Sequence, residues 1–148
     1  MDAVTYPQKA VQEFLADSMV PVRIPFDSPL SQEFRVTWLP MLITLDWNGV
    51  EHQRTVGFMA HELVPSLMLG CAKTYCDCGL FDKAFAGFGK LLAAYPESDT
   101  APEAMFFRGV CSYKSTHDPA TLKEAFEQLT EQYPHSQWTK RAYPYRLL

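Results

Sequence analysis

The sequence predicts an α/β fold that leads into α: a small sheet with helices, followed by helix pairs. Three observations predict it. The pattern changes near residue 60, from short β-rich runs broken by proline to a helical periodicity that continues almost to the end. An apolar run at 40–46 is followed by Asn48-Gly49 and a second run at 52–58, which reads as strand, turn, strand. The motif Tyr-Pro-x-Ser occurs at 95–98 and again at 133–136, each time after two helical patterns.

Taken in order, residues 7–17 read as an amphipathic helix, with Pro7 in the first turn and Val11, Phe14 and Leu15 on one face. Residues 19–24 read as a strand, weakened on one side because Pro21 cannot donate. Ser28 caps a short helix that starts at Pro29 and runs to about 34. Strands at 40–46 and 52–58 flank Asn48-Gly49, which suits a type I′ turn with positive φ at both positions. A long helix spans about 60–78, where Val64, Leu67, Met68, Cys71, Ala72 and Tyr75 recur at helical spacing. Pro65 falls in its first two turns, where a missing N–H costs least. Gly79 ends that helix. The next begins at 81 or 82, carries Ala84, Phe88 and Leu91 on one side, and stops at Pro96. A second pair covers 102–114 and 119–133, with Asp118 as N-cap. Ser136 caps a last short helix that Pro144 terminates. Gly87 and Gly89 are read as points of close helix packing.

Apolar residues make up 47% of the 148-residue chain and aromatics 14%, enough to build a core and too many for a disordered segment. The net charge of -4 and a pI near 5.5 argue against nucleic acid or an anionic membrane surface as partner. No apolar run approaches the roughly 20 residues that span a bilayer. Met1-Asp2-Ala3-Val4-Thr5 has neither a basic n-region nor an h-region, so the expected location is the cytoplasm.

Chemistry-bearing residues are sparse in pattern. Cys71, Cys76 and Cys78 share one predicted helix, and Cys111 lies in another. On a helix Cys76 and Cys78 point to nearly opposite sides, while Cys71 and Cys78 lie about 10 Å apart along the axis, so no bridge closes among them. Free thiols in a reducing compartment are expected. His52, His61, His117 and His135 match no zinc spacing, even with Glu62 and Cys71 or Cys78 added, and no metal or other cofactor is expected. No phosphate-binding glycine loop, nucleophile elbow or kinase signature occurs, so no catalytic residue is assigned.

Two resemblances follow from these residues. Pro134 lies 38 positions after Pro96, near the roughly 34-residue period of a tetratricopeptide repeat. Ala72, Tyr75, Gly79, Phe81, Ala84, Phe88 and Leu91 resemble the small and large positions of that repeat. Ala104, Gly109, Tyr113 and Leu129 fit a second copy, in which Thr-His-Asp-Pro at 116–119 replaces the tight glycine turn. The stretch 95–109 also looks like repeats of periplasmic and lipoprotein-associated bacterial proteins, which implies a bacterial source. Residues 36–58 resemble the second half of the thioredoxin fold, with a proline before a strand, an Asn-Gly hairpin and a strand ending in Val56-Gly57. The resemblance implies a cis bond at Pro40 and extends upstream over 1–75. In that family a buried strand and a Cys-x-x-Cys precede the equivalent of Met1, and neither is in this sequence.

The expected organisation is therefore a truncated thioredoxin-like region at 1–75 and tetratricopeptide-type repeats at 60–148, sharing the helix at 60–78. The expected function is protein–protein interaction without redox catalysis, since an exchanger needs a low-pKa thiolate and a resolving thiol within reach. Lys73, Tyr75, Phe107, Arg108 and Lys114 are the candidate partner-binding residues on a concave repeat surface. The alternative is a thiol-disulfide oxidoreductase whose N-terminal strand and Cys-x-x-Cys are missing from this chain. A third reading is a structural subunit of an envelope complex. With no strand between 19–24 and 40–46, two arrangements satisfy the backbone: those strands pair directly, or the edge of 40–46 recruits a strand from a partner or a second copy of the chain.

Overall fold

The computed structural model describes residues 5–148; residues 1–4, which carry the leader reading and the first part of the thioredoxin resemblance, lie outside the described residues. Among these residues the chain forms seven helices and one small antiparallel sheet. The order is α1 (Lys9–Ser18), α2 (Pro29–Glu33), β1 (Met41–Leu45), β2 (Glu51–Val56), α3 (Leu63–Asp77), α4 (Phe81–Ala94), α5 (Ala101–Thr116), α6 (Ala120–Gln132) and α7 (Gln137–Ala142), then a 3-10 turn at Tyr143–Leu147. An α/β region leads into a helical one.

The local signals explain most starts and stops. Ser28 accepts a hydrogen bond from the Ser31 N–H, and Pro29 takes the first position of α2. The two Tyr-Pro-x-Ser turns have the same geometry. Tyr95 and Tyr133 close α4 and α6 with φ near -136° and -133°, each N–H bonding the carbonyl four residues back. Ser98 and Ser136 then accept hydrogen bonds from the N–H two residues on, at Thr100 and Trp138. The Tyr133 hydroxyl donates to the Pro96 carbonyl at 2.8 Å, joining the turns. In the loop at 116–119, His117 adopts φ +58° and stands where a glycine would cap α5. Asp118 accepts from the Ala120 N–H at the start of α6.

Helix α3 lies at the centre. Ten of its 15 residues are buried, because it packs on two sides. Leu63, Val64 and Leu67 meet Val11 of α1, Met59 and Leu42 of β1. Leu69, Ala72 and Cys76 meet Ala84, Phe88 and Leu91 of α4 and Ala101, Ala104 and Cys111 of α5. A third cluster joins Met105, Leu129, Trp138 and Ala142 at the C-terminal end. Gly70 permits the sheet to approach α3, since a Cβ there would collide with Thr44. Gly87 touches Ala72, whereas Gly89 has open space beside it and serves no packing role.

Two sequence expectations are corrected. Residues 19–24 form no strand, and the sheet has only β1 and β2 among the described residues. Val20 and Val22 are 88% and 74% exposed, and both line a groove that β1 also borders. The hairpin is not a type I′ turn. Only Gly49 has positive φ (+80°); the Gly49 N–H bonds the Asp46 carbonyl and Asp46 bonds Val50, a turn followed by a left-handed glycine. The Leu39–Pro40 bond, for which the resemblance implies cis geometry, is cis.

Phe88 is fully buried between α3, α4 and α5, and Gly70 has no room for a methyl group. Phe88→Ala is expected to cost about 3–5 kcal/mol and Gly70→Ala about 1–3 kcal/mol. Urea unfolding measures both, and unchanged midpoints would contradict this packing.

Candidate functional site

Among the described residues no strand lies beside the second edge of β1. The Gly57 N–H bonds the Pro40 carbonyl at 2.9 Å and the Asp46 N–H bonds the Val50 carbonyl at 3.0 Å. With the antiparallel register Leu42↔Thr55 and Thr44↔Gln53, the even-numbered residues of β1 bond β2. The amides and carbonyls of Met41, Ile43 and Leu45 therefore point the other way, and no described residue pairs with them.

This edge borders a groove of about 590 Å³. Leu67, Cys71 and Tyr75 of α3 line it, together with Val20, Val22 and Ile24. Leu30, Phe34 and Val36 cover the side where Met41 and Ile43 project. Trp47 and Phe26, 71% and 53% exposed, add apolar surface to the lining. A groove of this size falls in the range of ligand sites, and contiguous exposed apolar surface marks an interaction region.

A polar cluster closes the end of the groove beside Asp46. It depends on a β-bulge. Leu45 pairs with Glu51 and Thr44 with Gln53, so His52 is an extra residue in β2. Gln53 and Thr55 face α3, where they bond Lys73 and Ser66. A regular strand would turn His52 to the opposite face; the bulge brings it to α3 as well. His52 Nδ1 lies 3.0 Å from Asp77 Oδ2, and Nε2 lies 3.4 Å from Asp46 Oδ2. Lys114 donates to Asp77 Oδ1 at 2.8 Å. Backbone hydrogen bonds from Val50 and Asn48, with help from His52, hold the Asp46 carboxyl below its ordinary value against the opposing effect of burial. Burial pulls the Asp77 carboxyl up, but Lys114 and His52 outweigh it and the net shift is downward.

The five residues chosen from the sequence do not form one surface. Lys73 bonds Gln53 and Glu103 and sits 4.3 Å over the Phe107 ring, so these two do meet. Phe107 packs on Phe106 and Trp138, and Tyr75 packs against the central core. Lys114 is held by Asp77, and Arg108 is exposed beside a small cleft between α5 and α6. Sequence reasoning missed Asp46, His52 and Asp77 as a group. The one local signal is Asp46-x-Asn48, an Asx-turn pattern whose carboxylate accepts the Asn48 and Val50 N–H groups. The other histidines, His61, His117 and His135, are exposed.

All four thiols are free. Burial pushes each of them up; Cys78 is raised further by Asp46 and Asp77, and Cys111 by Cys76. None has the depressed pKa of an attacking thiolate. No helix among the described residues is long and apolar enough to cross a membrane. No protein-family model, curated protein or solved structure matches the chain.

Two outcomes follow. The folded pKa of Asp77 lies below its unfolded one, so its contribution is complete above about pH 4 and is lost as pH falls through the folded value. Asp77→Asn is expected to lower stability at pH 7 by about 0.2–1 kcal/mol, a half-exposed ion pair's worth, with the gap closing near pH 3; urea midpoints showing an equal gap at both pH values would contradict it. Dithiothreitol-driven insulin reduction is expected to stay at the buffer rate, and turnover lost in Cys76→Ser/Cys78→Ser would overturn that.

Proposed function

We propose that this chain is a protein-interaction module that binds an extended apolar segment of a partner by strand addition along β1. The observation that carries the reading is the open β1 edge inside an apolar groove. The backbone groups of Met41, Ile43 and Leu45 have no partner among the described residues, and a paired strand satisfies all of them at once. Side chains of an added strand would alternate between α3 and the Leu30–Phe34–Val36 side. Both sides are apolar, so the preferred segment is a continuous apolar run of about five residues rather than an alternating one.

The proposal includes the family reading: a thioredoxin-like region that shares α3 with tetratricopeptide-type helix pairs, working in a cytoplasm and without redox chemistry of its own. The cis bond before β1, the hairpin and the repeated Tyr-Pro-x-Ser turns support it. The upward-shifted thiols favour interaction over thiol exchange.

Hydrogen exchange with a peptide array tests this. In protein shown to be monomeric by sedimentation, the Met41, Ile43 and Leu45 amides are expected to exchange rapidly. Array peptides with apolar runs lacking internal proline are expected to bind and slow that exchange. Ile43→Asp should weaken binding by at least about tenfold, because it places a charge in the groove. Slow exchange in the free monomer would remove the basis of the reading. Slow exchange in a dimer would make a second copy of the chain the occupant.

A further inference from the structure

We propose that Asp46, His52 and Cys78 form a binding site for a divalent cation of the zinc class, with Asp77 as the group that orients the imidazole. One ligand atom from each of the three lies within 4.8 Å of the other two. The proposal is independent of strand addition at β1.

Each residue is already aimed. Asp46 Oδ1 accepts the Asn48 and Val50 N–H groups at 2.8 and 2.9 Å, which fixes the carboxylate and leaves Oδ2 toward His52. The side chains of Asp46 and His52 are only 6% and 9% exposed. Cys78 caps the C-terminus of α3, where the Leu80 N–H bonds the Tyr75 carbonyl and the Gly79 N–H bonds that of Cys76. This six-to-one and five-to-two pair is a Schellman turn, so the position of Cys78 is set by backbone geometry.

The imidazole carries the inference. Both of its nitrogens face carboxylate oxygens. A ring that ligates a cation through Nε2 keeps its proton on Nδ1, where the shorter contact, 3.0 Å, directs it to Asp77. Nε2 lies 3.4 Å from Asp46 Oδ2, so one cation can be held by both atoms in place of a proton between them. A carboxylate on the far nitrogen of a ligating histidine is the usual outer partner in zinc sites, and it fixes the tautomer. Lys114 in turn holds Asp77 by its other oxygen. Imidazole, carboxylate and thiolate donors together select zinc over magnesium or calcium, which take oxygen. Three protein ligands leave a fourth position for water. The ion would tie the end of β1, the bulge of β2 and the end of α3 together.

Cobalt(II) alone is the probe, added to the reduced full chain. One equivalent is expected to produce thiolate-to-cobalt charge-transfer absorption, displaced by Zn2+. Cys78→Ser is expected to abolish the band and Cys71→Ser to keep it. Asp77→Asn retains all three ligands and is expected to weaken Zn2+ binding by about 10–100-fold. Absence of the band in the parent protein, or its survival in Cys78→Ser, would overturn the site. Unchanged Zn2+ affinity in Asp77→Asn would overturn the orienting role of Asp77.

Discussion

The burial of α3 on two sides at once is the constraint that sets the rest of this molecule. An isolated helix packs one apolar stripe; this one must present Leu63, Val64 and Leu67 to the sheet side and Leu69, Ala72 and Cys76 to α4 and α5. Small residues follow from that demand. Gly70 admits the sheet, and Ala72 admits α4 at Gly87. The polar side chains left on the helix are each answered locally: Thr74 donates to the Gly70 carbonyl, Ser66 meets Thr55, and Lys73 spans Gln53 and Glu103. At its N-terminal end Glu62 accepts hydrogen bonds from Ser98 and Thr100, which fastens the first Tyr-Pro-x-Ser turn to the sheet-bearing half. The α/β region and the helical region are thus one packed body with no linker between them.

What the sequence revealed and what it hid divide along the range of the interaction. Caps, proline stops and helical periodicity act over a few residues, and they place Ser28, Ser136, Pro96 and the face of α4 in agreement with the structure. Residues 19–24 have the composition of a strand, but a strand exists only when a partner bonds it, and pairing is non-local. The hairpin turn differs for a related reason. Asp46 supplies carboxylate acceptors that stabilise a longer turn, so Asn48 need not take positive φ. The cluster around His52 was hidden because a single inserted residue in β2 reverses the face on which the ring lies. Alternation counted along the sequence places it wrongly.

The groove and the polar cluster share one origin. Both arise where β1 ends its pairing with β2. Along β1 no described residue pairs with the second edge; at its end the bulge and the Asx turn concentrate Asp46, His52 and Asp77. Of the partner-binding residues expected on the helical repeats, Lys73 bonds Glu103 and Lys114 bonds Asp77, while Arg108 stays exposed.

The repeated turn has a consequence of its own. Tyr95 and Tyr133 close their helices with nearly the same dihedrals, so both helix pairs end in the same turn. The hydroxyl of Tyr133 measures one turn against the other through Pro96. The two turns thus act as one recurring joint, and the contact between them carries the register of α4 across to α6.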